Sequence, residues 1–123
     1  MTGFLAALFF NAYPFGESIG TEKSLEFTGE MLDRGYSILI FPEAHRTPDG
    51  NVKRFKPGIG YMALHLDVPV LPVKVEGLFE VLPIHKIIPR CGKSRVKVGK
   101  PLNVQDVSYL QAAKMIEQKV REL

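Results

Sequence analysis

The stretch that decides the fold is SILIFPEAHRTPDG, residues 37–50. The apolar run 36–41 is typical of a short buried strand, and Pro42 ends that run. A basic loop with a Pro-Asp-Gly turn follows at once. Because α/β folds build their sites in the loops at the carboxyl ends of strands, Glu43 and Arg46 are the first candidate site residues.

Helix and strand patterns alternate along the rest of the chain. Periodicity and end signals place helices from Thr21 to a stop at Gly35, over 58–66 and over 106–123, and strands over 68–77 and 94–99. This alternation predicts an α/β fold, a layered sheet with flanking helices. The chain contains no linker or repeat, so a single domain over residues 1–123 is expected.

Side-chain spacing predicts which residues are buried. Val96 and Val98 alternate with basic residues, a pattern typical of a half-buried strand. Prolines in the strand pattern 68–77 indicate an edge, a bulge or a strand start. Ser108 and Gln111 form a capping box before the last helix. The predicted core face of that helix consists of Leu110, Ala113, Ile116, Val120 and Leu123.

Composition narrows the classes of protein and partner. One cysteine among 123 residues excludes a disulfide framework and a cysteine-rich zinc site, and it fits an intracellular protein. The net charge is +3, yet no Asp or Glu occurs from Val81 to Gln105. This basic stretch favours a phosphate-bearing substrate or an anionic lipid surface, although a merely solvated surface is equally open. Nucleic acid is not expected, because the chain has no Trp and no recognition-helix pattern.

Glu43 and Arg46 suggest phosphate chemistry. The guanidinium of Arg46 offers a planar fork of donors that matches phosphate oxygens. Glu43 can orient that side chain or accept from a substrate hydroxyl. Three more cations, Lys53, Arg54 and Lys56, follow in the same loop and raise its positive potential. The alternative is an exposed Glu–Arg surface pair, worth about 0–1 kcal/mol.

Several short segments, taken in order, resemble one family. FPEAHR at 41–46 resembles the Phe-Pro-Glu-Gly-Thr-Arg motif of the glycerolipid acyltransferases, the family of 1-acylglycerol-3-phosphate acyltransferases. FKPG at 55–58 and VPVLPV at 68–73 resemble the two motifs that follow it in that family. FNAYPFG at 10–16 occupies the place of the family's second motif. The resemblance covers nearly the whole chain.

The resemblance implies an activity and a set of site residues. The family transfers an acyl group from an acyl-CoA or acyl carrier protein thioester to a hydroxyl of a glycerophosphate or lysophospholipid. It implies no resident cofactor and no metal. The residues that it and the local charge assign to the acceptor phosphate are Glu43, Arg46 and Lys56, and those assigned to loop geometry are Pro42, Gly58, Pro69 and Pro72. A cytoplasmic protein, peripheral at an anionic membrane, is expected.

The family's catalytic signature, His-x-x-x-x-Asp, is absent from this chain. Gly50, Val70 and Arg90 stand five residues after the three histidines. No catalytic residue is therefore assigned, and the domain is expected to be N-terminally incomplete and inactive as an isolated chain. The abrupt apolar start at residues 3–10 favours the same interpretation. The alternative is a non-catalytic module that binds phosphate or anionic lipid.

Other departures from the family pattern affect the predicted phosphate site. Ala44 and His45 replace the Gly-Thr of the motif. Alanine predicts a negative φ at position 44 or a shifted loop, and His45 is expected to face solvent. The segment YPFGESIG lacks the Arg often found in the family's second motif.

The two remaining histidines lie outside that motif. His65 is expected at the edge of the core. His85 lies in LPIHKIIP, whose apolar and basic residues predict contact with a bilayer surface.

Overall fold

The computed structural model describes residues 21–123, and the chain divides into two compact units, Met1–Ile40 and Phe41–Leu123. The predicted second motif at 10–16 and the apolar start lie outside the described residues. The helices are α1 (Thr21–Asp33), α2 (Gly58–Leu66), α3 (Leu78–Val81) and α4 (Tyr109–Arg121), and the strands are β1 (Val73–Glu76) and β2 (Arg95–Val98). This mixture of helices and a small sheet confirms the predicted α/β class.

The described part of the first unit consists of α1 and the segment after it. Gly35 ends the helix with φ +87°, a left-handed conformation that glycine adopts without a steric penalty. The Gly35 amide donates to the Leu32 carbonyl at 2.9 Å, and the Tyr36 amide donates to Met31 at 3.0 Å. These two bonds satisfy carbonyls that a helix end otherwise leaves free, so the predicted stop at Gly35 is confirmed.

The buried strand predicted over 36–41 is wrong. No strand is assigned to these residues in the structure, and the Leu39 and Phe41 side chains are 75% and 71% exposed. An apolar run specifies burial only when other elements cover both faces of the strand. Ile38 and Ile40 are half-buried and alternate with these exposed side chains. Residues 36–41 are therefore a partly exposed segment that precedes Glu43 and Arg46 in the chain.

Helices α2 and α4 form the core of the second unit. Gly60 permits their close approach, because a Cβ at that position would lie 1.9 Å from the Tyr109 carbonyl oxygen. The predicted capping box is confirmed, with Ser108 and Gln111 satisfying each other's backbone amides at the start of α4. The buried apolar side chains that pack together are Phe55, Ala63, Val104, Ala112, Ile116 and Val120.

One residue of the predicted core face of α4 is misplaced. Leu110 is 48% exposed, while Ala112 is fully buried in its stead. The helix begins at Tyr109 rather than at residue 106. The buried face of α4 consists of Ala112, Ala113, Ile116 and Val120, and Leu110 lies outside it.

The strands β1 and β2 form an antiparallel pair in which Val73 is opposite Val98 and Val75 is opposite Val96. Strand β1 begins after Pro72, which confirms that the prolines mark a strand start. The half-buried prediction for β2 is wrong, because Val96 and Val98 are 60% and 59% exposed. On the other face, Glu76 pairs with Lys97 at 2.9 Å and with Lys74 at 3.4 Å.

The helices within residues 21–123 are short or polar. None of the helices in this range is both long enough and apolar enough to cross a bilayer.

Candidate functional site

The predicted site residues lie on a loop, residues 42–56, which we call the motif loop. Its two ends meet, because the Lys56 amide donates to the Pro42 carbonyl at 2.8 Å. The end of the loop is anchored to the core through Phe55, which is 7% exposed. The Phe55 amide donates to the Glu117 carboxylate of α4 at 3.0 Å. The motif loop is thus a closed segment tied to a helix of the core.

Glu43 links the two limbs of the motif loop. Its Oε2 accepts from the Lys53 backbone amide at 2.6 Å, in a partly buried bond. A carboxylate that accepts from a backbone amide makes a charge-assisted bond, which is stronger than a neutral one. No ion pair joins Glu43 to Arg46 among residues 21–123. Glu43 therefore holds the loop closed, a contact that sequence spacing did not reveal.

Ala44 adopts the left-handed conformation, with φ +65°. The expectation of a negative φ at this position is therefore wrong. An L-residue in this region has its Cβ close to the following carbonyl oxygen, which costs about 1–2 kcal/mol. Two hydrogen bonds oppose this strain: the one from Lys53 to Glu43, and one from the Ala44 amide to the Phe41 carbonyl at 3.2 Å. Position 44 therefore has the backbone geometry that suits glycine, although the residue there is alanine.

Arg46 lies exposed on the motif loop and contacts a second loop. Its Nη2 donates to the Ile84 carbonyl at 3.2 Å. A guanidinium carries five N–H donors, so this bond orients the side chain and leaves donors for a bidentate phosphate contact. His45, next to it, is exposed as expected. Sequence reasoning missed the Ile84 contact because 38 residues separate its partners.

A network of polar side chains shapes the tip of the motif loop. Asp49 accepts from the Thr47 hydroxyl at 2.8 Å, from the Asn51 amide at 3.1 Å and from the Asn51 side chain at 3.0 Å. These bonds, the Asn51 side chain foremost, lower the pKa of Asp49 to about 2. The predicted Pro-Asp-Gly turn thus contains an ionised carboxylate at neutral pH.

Lys56 lines a different feature, a shallow cavity of about 290 Å³ between the motif loop and α4. Arg54 and Lys114 also line it, so three cations meet there beside Glu117. The amide of Phe55 is the main cause that lowers the pKa of Glu117, and Arg121 adds to the effect. Lys56 thus lines a cavity that does not include Arg46, and its role toward a phosphate stays a prediction.

The residues assigned to loop geometry occupy the ends of elements. Gly58 is the first residue of α2 and follows Pro57, a residue that suits a helix start. Pro69 and Pro72 precede β1, and the Pro72 carbonyl accepts from the Gly99 amide at 2.9 Å. Val70 pairs with Leu102 beyond the end of the strands. The VPVLPV segment therefore leads into the small sheet.

The histidines show no arrangement typical of a base. His65 is exposed, and its Nδ1–H donates to the Tyr61 carbonyl at 2.9 Å. Its ring also packs on Tyr61, with centroids 3.8 Å apart. The expectation of a position at the edge of the core is replaced by this surface contact. Among residues 21–123, no group of three or more His, Cys, Asp or Glu side chains could hold a metal ion.

A comparison with models of protein families shows which family the chain belongs to. A model of the family described as Acyltransferase matches residues 7–76, more than half of the chain. The chain belongs to the acyltransferase family. The matched range contains the motif loop, FKPG and VPVLPV, which confirms the resemblance inferred from those motifs.

Individual relatives agree with this affiliation. The chain is 34% identical over 74 residues to the chloroplastic 1-acyl-sn-glycerol-3-phosphate acyltransferase BAT2 of Brassica napus, covering 59% of this chain and 22% of that protein. It is 33% identical over 75 residues to LPAT1, the chloroplastic enzyme of the same name from Arabidopsis thaliana, covering 60% and 21%. The chain thus spans about a fifth of the length of these curated relatives.

A solved structure supports the fold. The crystal structure of the 1-acyl-sn-glycerophosphate (LPA) acyltransferase PlsC from Thermotoga maritima matches with a TM-score of 0.74 and 30% identity. The match covers 83% of this acyltransferase-family chain and 43% of PlsC. The small antiparallel sheet and its helices are therefore part of the PlsC fold.

Proposed function

We propose that this chain supplies the acceptor-phosphate part of an acyltransferase. The acceptor is a glycerophosphate or a lysophospholipid, and the donor is an acyl thioester of coenzyme A or acyl carrier protein. One observation carries the proposal: Arg46 extends from a loop closed by Glu43 and is oriented by its bond to the Ile84 carbonyl. Pre-orientation of this kind reduces the entropy lost when a side chain binds its ligand.

In the proposed site, Arg46 binds the acceptor phosphate through charge-assisted hydrogen bonds. Glu43 acts as a positioning residue, because its carboxylate is engaged with the Lys53 amide. Lys56 adds positive potential at the end of the same loop. The loop carries four cations in all against two acids, Glu43 and Asp49, each of which accepts from backbone amides within the loop.

Acyl transfer needs a base in addition to phosphate binding. The acceptor hydroxyl oxygen attacks the thioester carbonyl, a C–O bond forms, the C–S bond breaks and the thiol leaves with the proton that the hydroxyl loses. The chain has no His-x-x-x-x-Asp pair to take that proton. We therefore propose that the isolated 123-residue chain binds an acceptor phosphate but does not catalyse acyl transfer. In the cell we place it at the cytoplasmic surface of a membrane, where its lipid substrates lie.

Phosphate binding is tested by titrating the chain with glycerol 3-phosphate while NMR reports the backbone amides of the motif loop. We expect Arg46→Ala to weaken binding about 10- to 100-fold, since a hydrogen bond to a charged group contributes about 1.5–3 kcal/mol. Arg46→Lys is expected to retain part of the affinity. The control, Lys119→Gln, removes an exposed charge from α4 away from the cavity lined by Lys56, and it should leave the affinity unchanged. Equal affinity of Arg46→Ala and the unaltered chain would contradict the proposal.

Catalysis is tested separately with an acyl-CoA and lysophosphatidic acid. We expect no acylated product from the chain alone. Product that disappears in Arg46→Ala would show that the chain contains a base outside the family signature. In that case the phosphate site stands, and the proposed inactivity is rejected. Phosphate binding without any turnover is also the behaviour of the alternative, a non-catalytic binding module.

A further inference from the structure

A second loop, residues 82–89, follows α3 in the segment that leads to β2, and we call it the isoleucine loop. Its ends are joined, because the Arg90 amide donates to the Val81 carbonyl at 2.7 Å. A turn inside it is closed by the Lys86 amide, which donates to the Pro83 carbonyl at 2.9 Å. Closed surface loops of this kind hold a defined shape through their own contacts, and they are frequently functional.

The tip of the isoleucine loop, Ile87 and Ile88, is apolar and exposed to solvent. Ile87 and Ile88 are 95% and 80% exposed, more than any other large hydrophobic side chain described. By contrast, Leu82 and Ile84 at the base are half-buried. A single exposed apolar residue is ordinary, but two adjacent isoleucines at the tip of a closed loop form an apolar projection. Their exposure leaves them available to a partner.

The charged residues around the tip are all basic, so they favour an anionic partner. Lys86 immediately precedes the isoleucines, and Arg90 follows them two residues later. Lys93 extends the positive charge, and no acid occurs from residue 81 to residue 105. Each cation close to an anionic lipid surface contributes roughly 1 kcal/mol of attraction. Apolar side chains flanked by cations match a layer of anionic headgroups above hydrocarbon.

We propose that the isoleucine loop docks on an anionic phospholipid bilayer. Ile87 and Ile88 enter the boundary between headgroups and acyl chains, while Lys86 and Arg90 contact lipid phosphates. A protein partner fits less well, because a stable protein interface buries about 800 Å² on each side, far more than two side chains offer. A bilayer accepts a narrow projection without a matching cavity.

The docking site adjoins the proposed phosphate site. Arg46 donates to the Ile84 carbonyl at the base of the isoleucine loop, so the two loops touch through this bond. Docking therefore places the Arg46 guanidinium near the headgroup layer, where a lysophospholipid presents its phosphate. This consequence rests on the proposed function, whereas docking itself needs only the bilayer.

The test is co-sedimentation of the full 123-residue chain with vesicles of phosphatidylcholine, with or without phosphatidylglycerol. We expect binding to the anionic vesicles that falls as salt is added. The double variant Ile87→Thr/Ile88→Thr should bind about tenfold more weakly or worse, because buried isoleucine surface is lost. Lys86→Gln/Arg90→Gln should weaken binding about tenfold as well.

Matched controls separate the loop from general surface effects. Val96→Thr/Val98→Thr removes two other exposed branched side chains from β2, and Lys114→Gln/Lys119→Gln removes two exposed charges from α4. Both are expected to bind vesicles within about twofold of the unaltered chain. Loss of binding in these controls equal to that in the loop variants would overturn the proposal.

A spectroscopic probe reports the docking directly. Cys91 is the sole cysteine and is exposed next to the loop, so a polarity-sensitive fluorophore attaches at one position. Its emission should shift to the blue with anionic vesicles and stay unchanged with neutral ones. An unshifted emission, or undiminished vesicle binding by the isoleucine variant, would overturn the proposal.

Binding of glycerol 3-phosphate shows whether the docking proposal fails alone or together with the proposed function. The isoleucine variant should retain the affinity for that soluble ligand, so the two proposals can fail independently.

Discussion

The motif loop and the isoleucine loop differ in how they are held. Polar side chains cross-link the motif loop from within: Glu43 binds the Lys53 amide, and Asp49 binds Thr47 and Asn51. In the isoleucine loop, backbone bonds close the base, and the tip has two exposed isoleucines. A loop that must orient a charged ligand requires internal rigidity, whereas a loop that enters a lipid surface requires only protrusion. Substitutions in the two loops test this difference, and the largest effect is expected in the motif loop.

Replacing Glu43 should weaken the motif loop more than any other single change within it. Glu43→Ala leaves the partly buried Lys53 amide without its acceptor, which costs about 1–3 kcal/mol of the free energy of unfolding. Glu43→Gln keeps an acceptor oxygen without the charge, so it should lose less. Urea denaturation followed by circular dichroism measures both. A free energy of unfolding unchanged in Glu43→Ala would show that the motif loop is not held by this bond.

Replacing Ala44 should strengthen the motif loop. Ala44→Gly relieves the φ of +65°, and the gain is partly offset by the greater freedom of glycine in the unfolded chain. We expect the free energy of unfolding to rise by about 0.5–1 kcal/mol. Ala44→Val, the control, should lower it because a β-branched residue fits the left-handed region poorly. A destabilised Ala44→Gly would contradict the positive φ.

Glu43 and Ala44 mark the limit of what the sequence could predict. Spacing correctly predicted local features, among them the stop at Gly35, the capping box of Ser108 and Gln111, and the motif order that indicates the family. Each of these depends on residues close together in the chain. The bond from Lys53 to Glu43 and the φ of Ala44 depend on how a whole loop closes, and single-residue preferences do not specify that.

Burial was the least predictable property. The run 36–41 and the valines of β2 have the composition of buried strands, but Leu39, Val96 and Val98 are 59–75% exposed. Whether an apolar strand is covered depends on the elements packed against it, and those elements are distant in sequence. Likewise, the contact from Arg46 to Ile84 joins residues 38 positions apart.

Acid should loosen the tip of the motif loop. Because the folded pKa of Asp49 is lowered to about 2, its contribution to stability is complete above the ordinary value near 4 and is lost as pH falls toward 2. NMR titration of the Asp49 carboxyl carbon should give a midpoint near 2. Thr47→Val removes one donor and should raise that midpoint. A midpoint near 4 in the unaltered chain would show that these bonds do not form.

The smallest expected effect is the one that most sharply separates the two loops. Ile87→Thr/Ile88→Thr alters side chains that are 95% and 80% exposed, so the free energy of unfolding should change by less than about 0.5 kcal/mol. The same chemical change in the core, Ile116→Thr at 3% exposure, should cost about 2 kcal/mol or more. Urea denaturation compares the two variants directly. If the double variant unfolds as readily as Ile116→Thr, the isoleucines serve the fold. If it keeps full stability yet no longer binds anionic vesicles, they serve docking, and the two loops then divide phosphate binding and membrane contact between them.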